Sequence, residues 1–199
     1  MARPQVPKEQ VLEAALQFVL REGHEKLNIT SVAKEMNRST KIISWTFETM
    51  EKFRSELAIY ALDYFNNKLN HEGDNPVKGF ATIGLIYLKM AYEEPNILRF
   101  IHANSGKVVA KGGMGFIFDK ERNIHLKEAL MRYTGMNEID TLQFMTSVVF
   151  YTQGLVTFIL DGTISYDKDV AEKMLIECGV RNMMLGGIDK ERAITFLNN

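Results

Sequence analysis

Residues 28–47 read NITSVAKEMNRSTKIISWTF, and the polar side chains there are of the types that hold nucleic acid. They include the cations Arg38 and Lys41, the hydroxyls Thr30, Ser39, Thr40 and Ser44, and one large aromatic, Trp45. Cations and hydroxyls donate to phosphate oxygens, while hydroxyls and apolar groups touch base edges. Bond-breaking chemistry has far less to work with. His24, His71, His102 and His125 show no His-Glu-x-x-His spacing, there is no Gly-x-Ser-x-Gly elbow, and Cys178 is the only cysteine. His102, His125 and Asp119 are the one set that folding could gather around a metal. Isolated histidines beside apolar helices more often serve as plain hydrogen-bonding groups, so no catalytic residue, metal site or cofactor is expected.

The elements that must carry the polar set are legible around it. Ile29, Val32, Ala33 and Met36 recur at three- and four-residue steps and line one face of a helix that Asn28 can cap. Asn37 falls where the chain must turn, and asparagine tolerates left-handed backbone better than most residues. Ser39 can cap a second helix whose apolar side is Ile42, Ile43 and Phe47. Two amphipathic helices joined by three residues describe a helix-turn-helix, whose second helix can enter the major groove of DNA. Such pairs are also ordinary packing units in all-helical proteins, so spacing alone does not decide. Thr40, Lys41, Ser44 and Trp45 lie opposite the apolar side and are expected to face outward. An outward Trp45 is costly unless it meets sugar and base edges or folds back on the first helix.

Residues 11–57 supply a wider pattern. Val11, Leu12, Ala14, Ala15, Phe18, Val19 and Gly23 give an apolar pair, two alanines, a second apolar pair and a glycine. Val32-Ala33 follows a Thr/Ser-rich start, Phe47 closes the second helix, and Glu51-Lys52 opens a charged fourth helix. In these features the segment resembles the DNA-binding region of the TetR (tetracycline-repressor) family of bacterial regulators. The chain departs from the family in having Asn37 in place of the turn glycine, Ser44 in place of a tyrosine and Met50 in place of a lysine. The last two family positions commonly touch phosphate, the source of sequence-independent affinity.

Composition sets the bounds. The chain has 199 residues, is 46% hydrophobic with 4 prolines, and has a net charge of −1, so it is a folded, helix-permissive sequence without a global field that attracts nucleic acid. Locally Lys34, Arg38 and Lys41 stand against Glu35, with Arg3 and Lys8 in the leading arm. One cysteine fits a reducing cytoplasm, and the opening MARPQVPKEQ has no apolar run of signal-peptide length, so a cytoplasmic location is expected.

The rest of the chain reads as helices: 8–22, 51–70, 77–93, 119–133, 140–161, 167–185 and a short one at 188–197. The Gly-Asp-Asn-Pro break near 73–76 is the strongest boundary. The expected architecture is all-α, with a helix-turn-helix domain at 1–50, a connecting helix at 51–72 and a regulatory and dimerisation domain at 73–199. GFATIGLIYLKMAYEEPNILRFI, from residue 79, also resembles the start of the sensing domain in some TetR branches. The glycine-rich 105–115 lacks the Gly-Lys-Ser/Thr ending of a phosphate loop and reads as an inter-helix loop. Residues 141–160 carry no charge and approach the length of a membrane span, but scattered polar groups favour a helix buried on nearly all sides, with no membrane contact.

The family resemblance implies a homodimer that sets two recognition helices on a double-stranded operator and releases it when a small-molecule effector binds. Two copies pairing through 137–161 and 167–185 as a four-helix bundle would bury both apolar stripes. A mainly apolar ligand is expected among Tyr87, Met90, Phe100, His102, Phe116, Phe144, Tyr151 and Gln153, residue types that equally fill a solid core. Two other classes stay open. One is a TetR-fold protein with weak or lost operator binding that acts through protein partners; the other is a small helical enzyme or carrier.

Overall fold

The computed structural model describes residues 6–69, 75–105 and 120–198. Arg3, His71, Phe116, Asp119 and the glycines at 106–115 therefore lie outside the described residues. Among the described residues every regular element is a helix: α1 (Lys8–Glu22), α2 (Ile29–Glu35), α3 (Thr40–Phe47), α4 (Met50–Leu69), α5 (Pro76–Glu93), α6 (Pro95–Ala103), α7 (Lys120–Thr134), α8 (Glu138–Leu160), α9 (Lys168–Leu185) and α10 (Lys190–Asn198). The chain is all-α, as its periodicity predicts. It divides into two units, one holding α1 to α3, α4 as far as Asn67, and α6, the other holding α5 and α7 to α10.

In the first unit α1 buries Val11, Leu12, Ala15, Leu16 and Val19. It ends at Gly23, whose φ of 85° a side chain would resist. The Asn28 side chain accepts from the Ser31 N–H (2.9 Å) while the Ser31 hydroxyl accepts from the Asn28 N–H (3.0 Å), a reciprocal cap that starts α2. Asn37 turns the chain at φ 51°, as the sequence predicts. Arg21 grips Glu35 with two guanidinium N–H bonds (3.1 and 2.7 Å) and ties α1 to α2. This contact holds the Glu35 carboxyl below its usual range. The α3 core side is Ile43 and Phe47, the latter against Phe53 of α4 with ring centroids 4.9 Å apart.

Between α3 and α4 the chain makes a strained turn. Glu48 has φ 63° and ψ −51°, and the Thr49 N–H reaches back to the Phe47 carbonyl at 2.6 Å. That is a γ-turn of the hand that side chains avoid. Glu48→Gly removes the penalty, and we expect it to raise stability by about 1 kcal/mol, measured as a higher urea midpoint with an unchanged slope. An unchanged or lower midpoint would show that the turn is not strained.

In the second unit α8 packs against α5 and α9. The Tyr87 hydroxyl, buried on α5, donates to Gln153 Oε1 (2.9 Å) on α8, and the Gln153 amide donates on to Thr157 Oγ1 (3.3 Å). Burial holds the Tyr87 hydroxyl far above the usual tyrosine range, against a smaller opposing effect of the Gln153 hydrogen bond. The neutral form is therefore favoured in the folded state. Stability is full below the ordinary tyrosine range and falls as pH rises through it, because the unfolded chain ionises first. Tyr87→Phe strands Gln153 Oε1 and is expected to cost about 1 to 2 kcal/mol at neutral pH. Thermal melts should also show a shallower loss in strongly alkaline buffer than the wild type; equal slopes would remove Tyr87 from the account.

The second unit departs from the sequence reading at α8. It is not buried on nearly all sides: Ile139 is 75% and Phe150 62% exposed, and Leu142 and Phe158 are exposed too. By length and composition α8 could cross a bilayer, yet its buried face packs against α5 and α9. The apolar run has two sides, one in this unit's core and one outside it. Composition cannot separate the two.

Candidate nucleic-acid interface

Thr30, Arg38, Ser39, Thr40, Lys41, Ser44 and Trp45 are all exposed. Lys41 and Trp45 project from α3 on the side away from Ile43 and Phe47, Ser44 lies on its flank, and Thr40 is exposed in its first turn, in line with Ile43 and Phe47; Arg38 and Ser39 occupy the turn before it, and Thr30 opens α2. Several contacts brace the surface from beneath. Ser39 caps α3 by accepting from the Lys41 N–H (3.4 Å), and Lys8 sits over the Phe47 ring at 5.6 Å. Arg54 of α4 donates to the Leu27 carbonyl (2.8 Å), bracing the turn before α2.

The cations on this surface differ from their neighbours. Arg21, Lys26 and Lys52 are engaged by Glu35, Glu22 and Glu48, and Lys8 by Glu56. Lys34, Arg38 and Lys41 have no acidic partner among the described residues. Three uncompensated cations beside one exposed helix face suit a polyanion. The start of α4 adds Thr49, whose hydroxyl accepts from the Lys52 N–H (3.1 Å), and a half-buried Met50.

No family model and no curated protein matches the chain. A solved structure does. The crystal structure of a TetR-like transcriptional regulator from Rhodococcus sp. RHA1 matches 92% of this chain and 99% of its own with a TM-score of 0.56, at 14% sequence identity. The fold is TetR-like. At that identity the likeness is one of architecture, and the exposed α3 face above is what this chain itself adds.

The division into two units separates the residues that the sequence groups as ligand contacts. Tyr87, Met90, Phe144, Tyr151 and Gln153 belong to the second unit, whereas Phe100 and His102 sit on α6 in the first. Phe100 is fully buried against the His24 ring, 5.9 Å between centroids. Phe144 packs against Phe80 with the rings tilted and their centroids 5.5 Å apart, Met90 is buried, and Tyr151 and His102 are half-buried. An open groove of about 250 Å³ in the first unit is lined by Lys8, Glu9, Leu12, Glu56, Ile59, Tyr60 and Asp63, with none of the expected ligand residues among them.

Sequence reasoning missed the Arg21–Glu35 clasp and the Glu48 turn. The first joins residues that no helical period relates; nothing in the second residue's type announces positive φ. The TetR-like second unit also presents two exposed stripes: Ile139, Leu142 and Phe150 on α8, and Val170, Met184 and Leu185 on α9. Half-buried Met174 and Cys178 continue the second stripe. Burial pushes the Cys178 thiol and the Tyr151 hydroxyl up from their usual ranges.

Proposed function

We propose that this chain is a ligand-responsive transcriptional regulator that binds double-stranded DNA as a homodimer. The observation that carries the reading is the α3 face, where all the expected contact residues are exposed over a buried Ile43–Phe47 base and Arg38 and Lys41 lack acidic partners among the described residues. A helix so presented, with such cations on its flank, fits the major groove and its phosphate walls. The TetR-like fold adds precedent, because its solved neighbour is described as a transcriptional regulator.

The finer parts of the reading have narrower support. Pairing of two copies through α8 and α9 accounts for the exposed stripes. A mainly apolar effector in the second unit, near Tyr87, Met90, Phe144 and Gln153, is in keeping with a half-buried polar string beside apolar side chains there. Repression relieved by that effector, in the cytoplasm, completes the proposal.

A gel shift with the DNA flanking its own gene tests the central claim. A discrete, competitor-resistant complex that an apolar effector dissociates is the expected result. Absence of any complex, together with capture of a defined protein by the α3 face, would favour the reading in which operator binding has been lost.

A further inference from the structure

We propose that Arg21 is a positioning residue for DNA binding: by holding Glu35 it keeps that carboxylate off Arg38 and leaves the Arg38 guanidinium for a phosphate. The inference rests on the DNA-binding reading and adds to it how the interface stays uncompensated. Glu35 is the only acidic residue in 28–47, and it stands among Lys34, Arg38 and Lys41. Those three cations lack an acidic partner among the described residues. Something must hold the carboxylate elsewhere.

The local backbone makes Arg38 the cation that Glu35 would otherwise capture. Adjacent residues on a helix do not face each other, which sets Lys34 aside. The Arg38 N–H donates to the Ala33 carbonyl (2.9 Å) and the Asn37 N–H to the Lys34 carbonyl (3.0 Å), so the chain folds back over the last turn of α2, where Glu35 sits. Arg21 pre-empts that pair. Reaching from α1, it gives Glu35 two N–H bonds, to Oε1 at 3.1 Å and to Oε2 at 2.7 Å, a two-pronged grip that a lysine cannot make. The Arg21 Nε–H donates to Glu22 at 3.2 Å, and Lys26 donates to the same carboxylate at 3.2 Å. Two cations and two carboxylates therefore close on one another, and Lys34, Arg38 and Lys41 stay outside the set.

The test uses the full chain and one mixed-sequence duplex of fixed length, with affinity read across a salt series and thermal melts run beside it. Arg21→Gln should weaken binding about fivefold near physiological salt and make the salt slope shallower by about 1 to 2 for the dimer. Glu35→Gln should bind at least as tightly as the wild type, and the double variant should return to within about twofold of it. Melting temperature should not follow this order, because every one of these variants lacks the clasp. A clasp that only held α2 on α1 would give another pattern, in which both single changes weaken binding and the double change does not recover; that result overturns the proposal. In an Arg38→Ala background Arg21→Gln should make little further difference, and an undiminished loss there overturns it too. Arg132→Gln on α7, an exposed arginine 4.0 Å from Glu128 in the second unit, separates a local effect from one of net charge. It should leave binding unchanged, and a loss equal to that of Arg21→Gln overturns the proposal. Should Arg21→Gln not fold, Glu35→Gln decides: binding as tight as the wild type supports the proposal and weaker binding overturns it. A wild-type chain that retains no duplex at low salt overturns the DNA-binding reading and this inference with it.

Discussion

Ile139→Asp on α8, or Leu185→Asp on α9, should turn a stable dimer into a monomer without unfolding it. Ile139 is 75% and Leu185 76% exposed in the single chain, so a carboxylate at either place meets water and the protomer loses little. In a two-fold pair each substitution acts twice, removing a buried apolar side chain and placing a charge in the contact. The dimer dissociation constant should rise by about three orders of magnitude. Sedimentation equilibrium at micromolar concentration reads this directly. DNA affinity should fall about 100-fold with it, because two linked half-sites become two separate ones. A wild-type protein that sediments as a monomer, or variants that remain dimers, would sink the α8–α9 assignment and weaken the two-site reading of DNA.

The parts of this fold that were legible in the sequence are those whose signals are local. Asn28, Asn37 and Ser39 mark two caps and a turn within a dozen residues, and the periods of Val32-Ala33 and Ile43-Phe47 set inward and outward faces without reference to the rest of the chain. Contacts between distant segments were not legible. Tyr87 and Gln153 are 66 residues apart, and nothing in either residue's type selects the other as partner. The neighbours of the residues in the ligand set were hidden for the same reason. Phe100 and Phe144 are identical side chains in apolar helices, and only tertiary packing puts one against His24 and the other against Phe80. Composition marks α8 as apolar, but which of its faces looks inward depends on where α5 and α9 pack.

Arg38→Ala combined with Lys41→Ala should cost more affinity than any change of base contact. Each subunit would lose two cations that lack acidic partners among the described residues, and the dimer four. Phosphate neutralisation releases condensed counterions, so the slope of log affinity against log salt should become shallower by about 3 to 4. Near physiological salt the loss should be about 100-fold and much the same for every duplex sequence, since phosphates carry no sequence information. The neighbouring Lys52 supplies the control. It too is an exposed cation of the first unit, but it is held by Glu48 at 3.2 Å. Lys52→Ala should therefore move the slope less than Lys41→Ala. Filter binding across a salt series separates the two cases: equal slopes for Lys41→Ala and Lys52→Ala would mean that the α3 face is not the one that meets the backbone. A loss confined to particular sequences would instead place Arg38 or Lys41 on base edges.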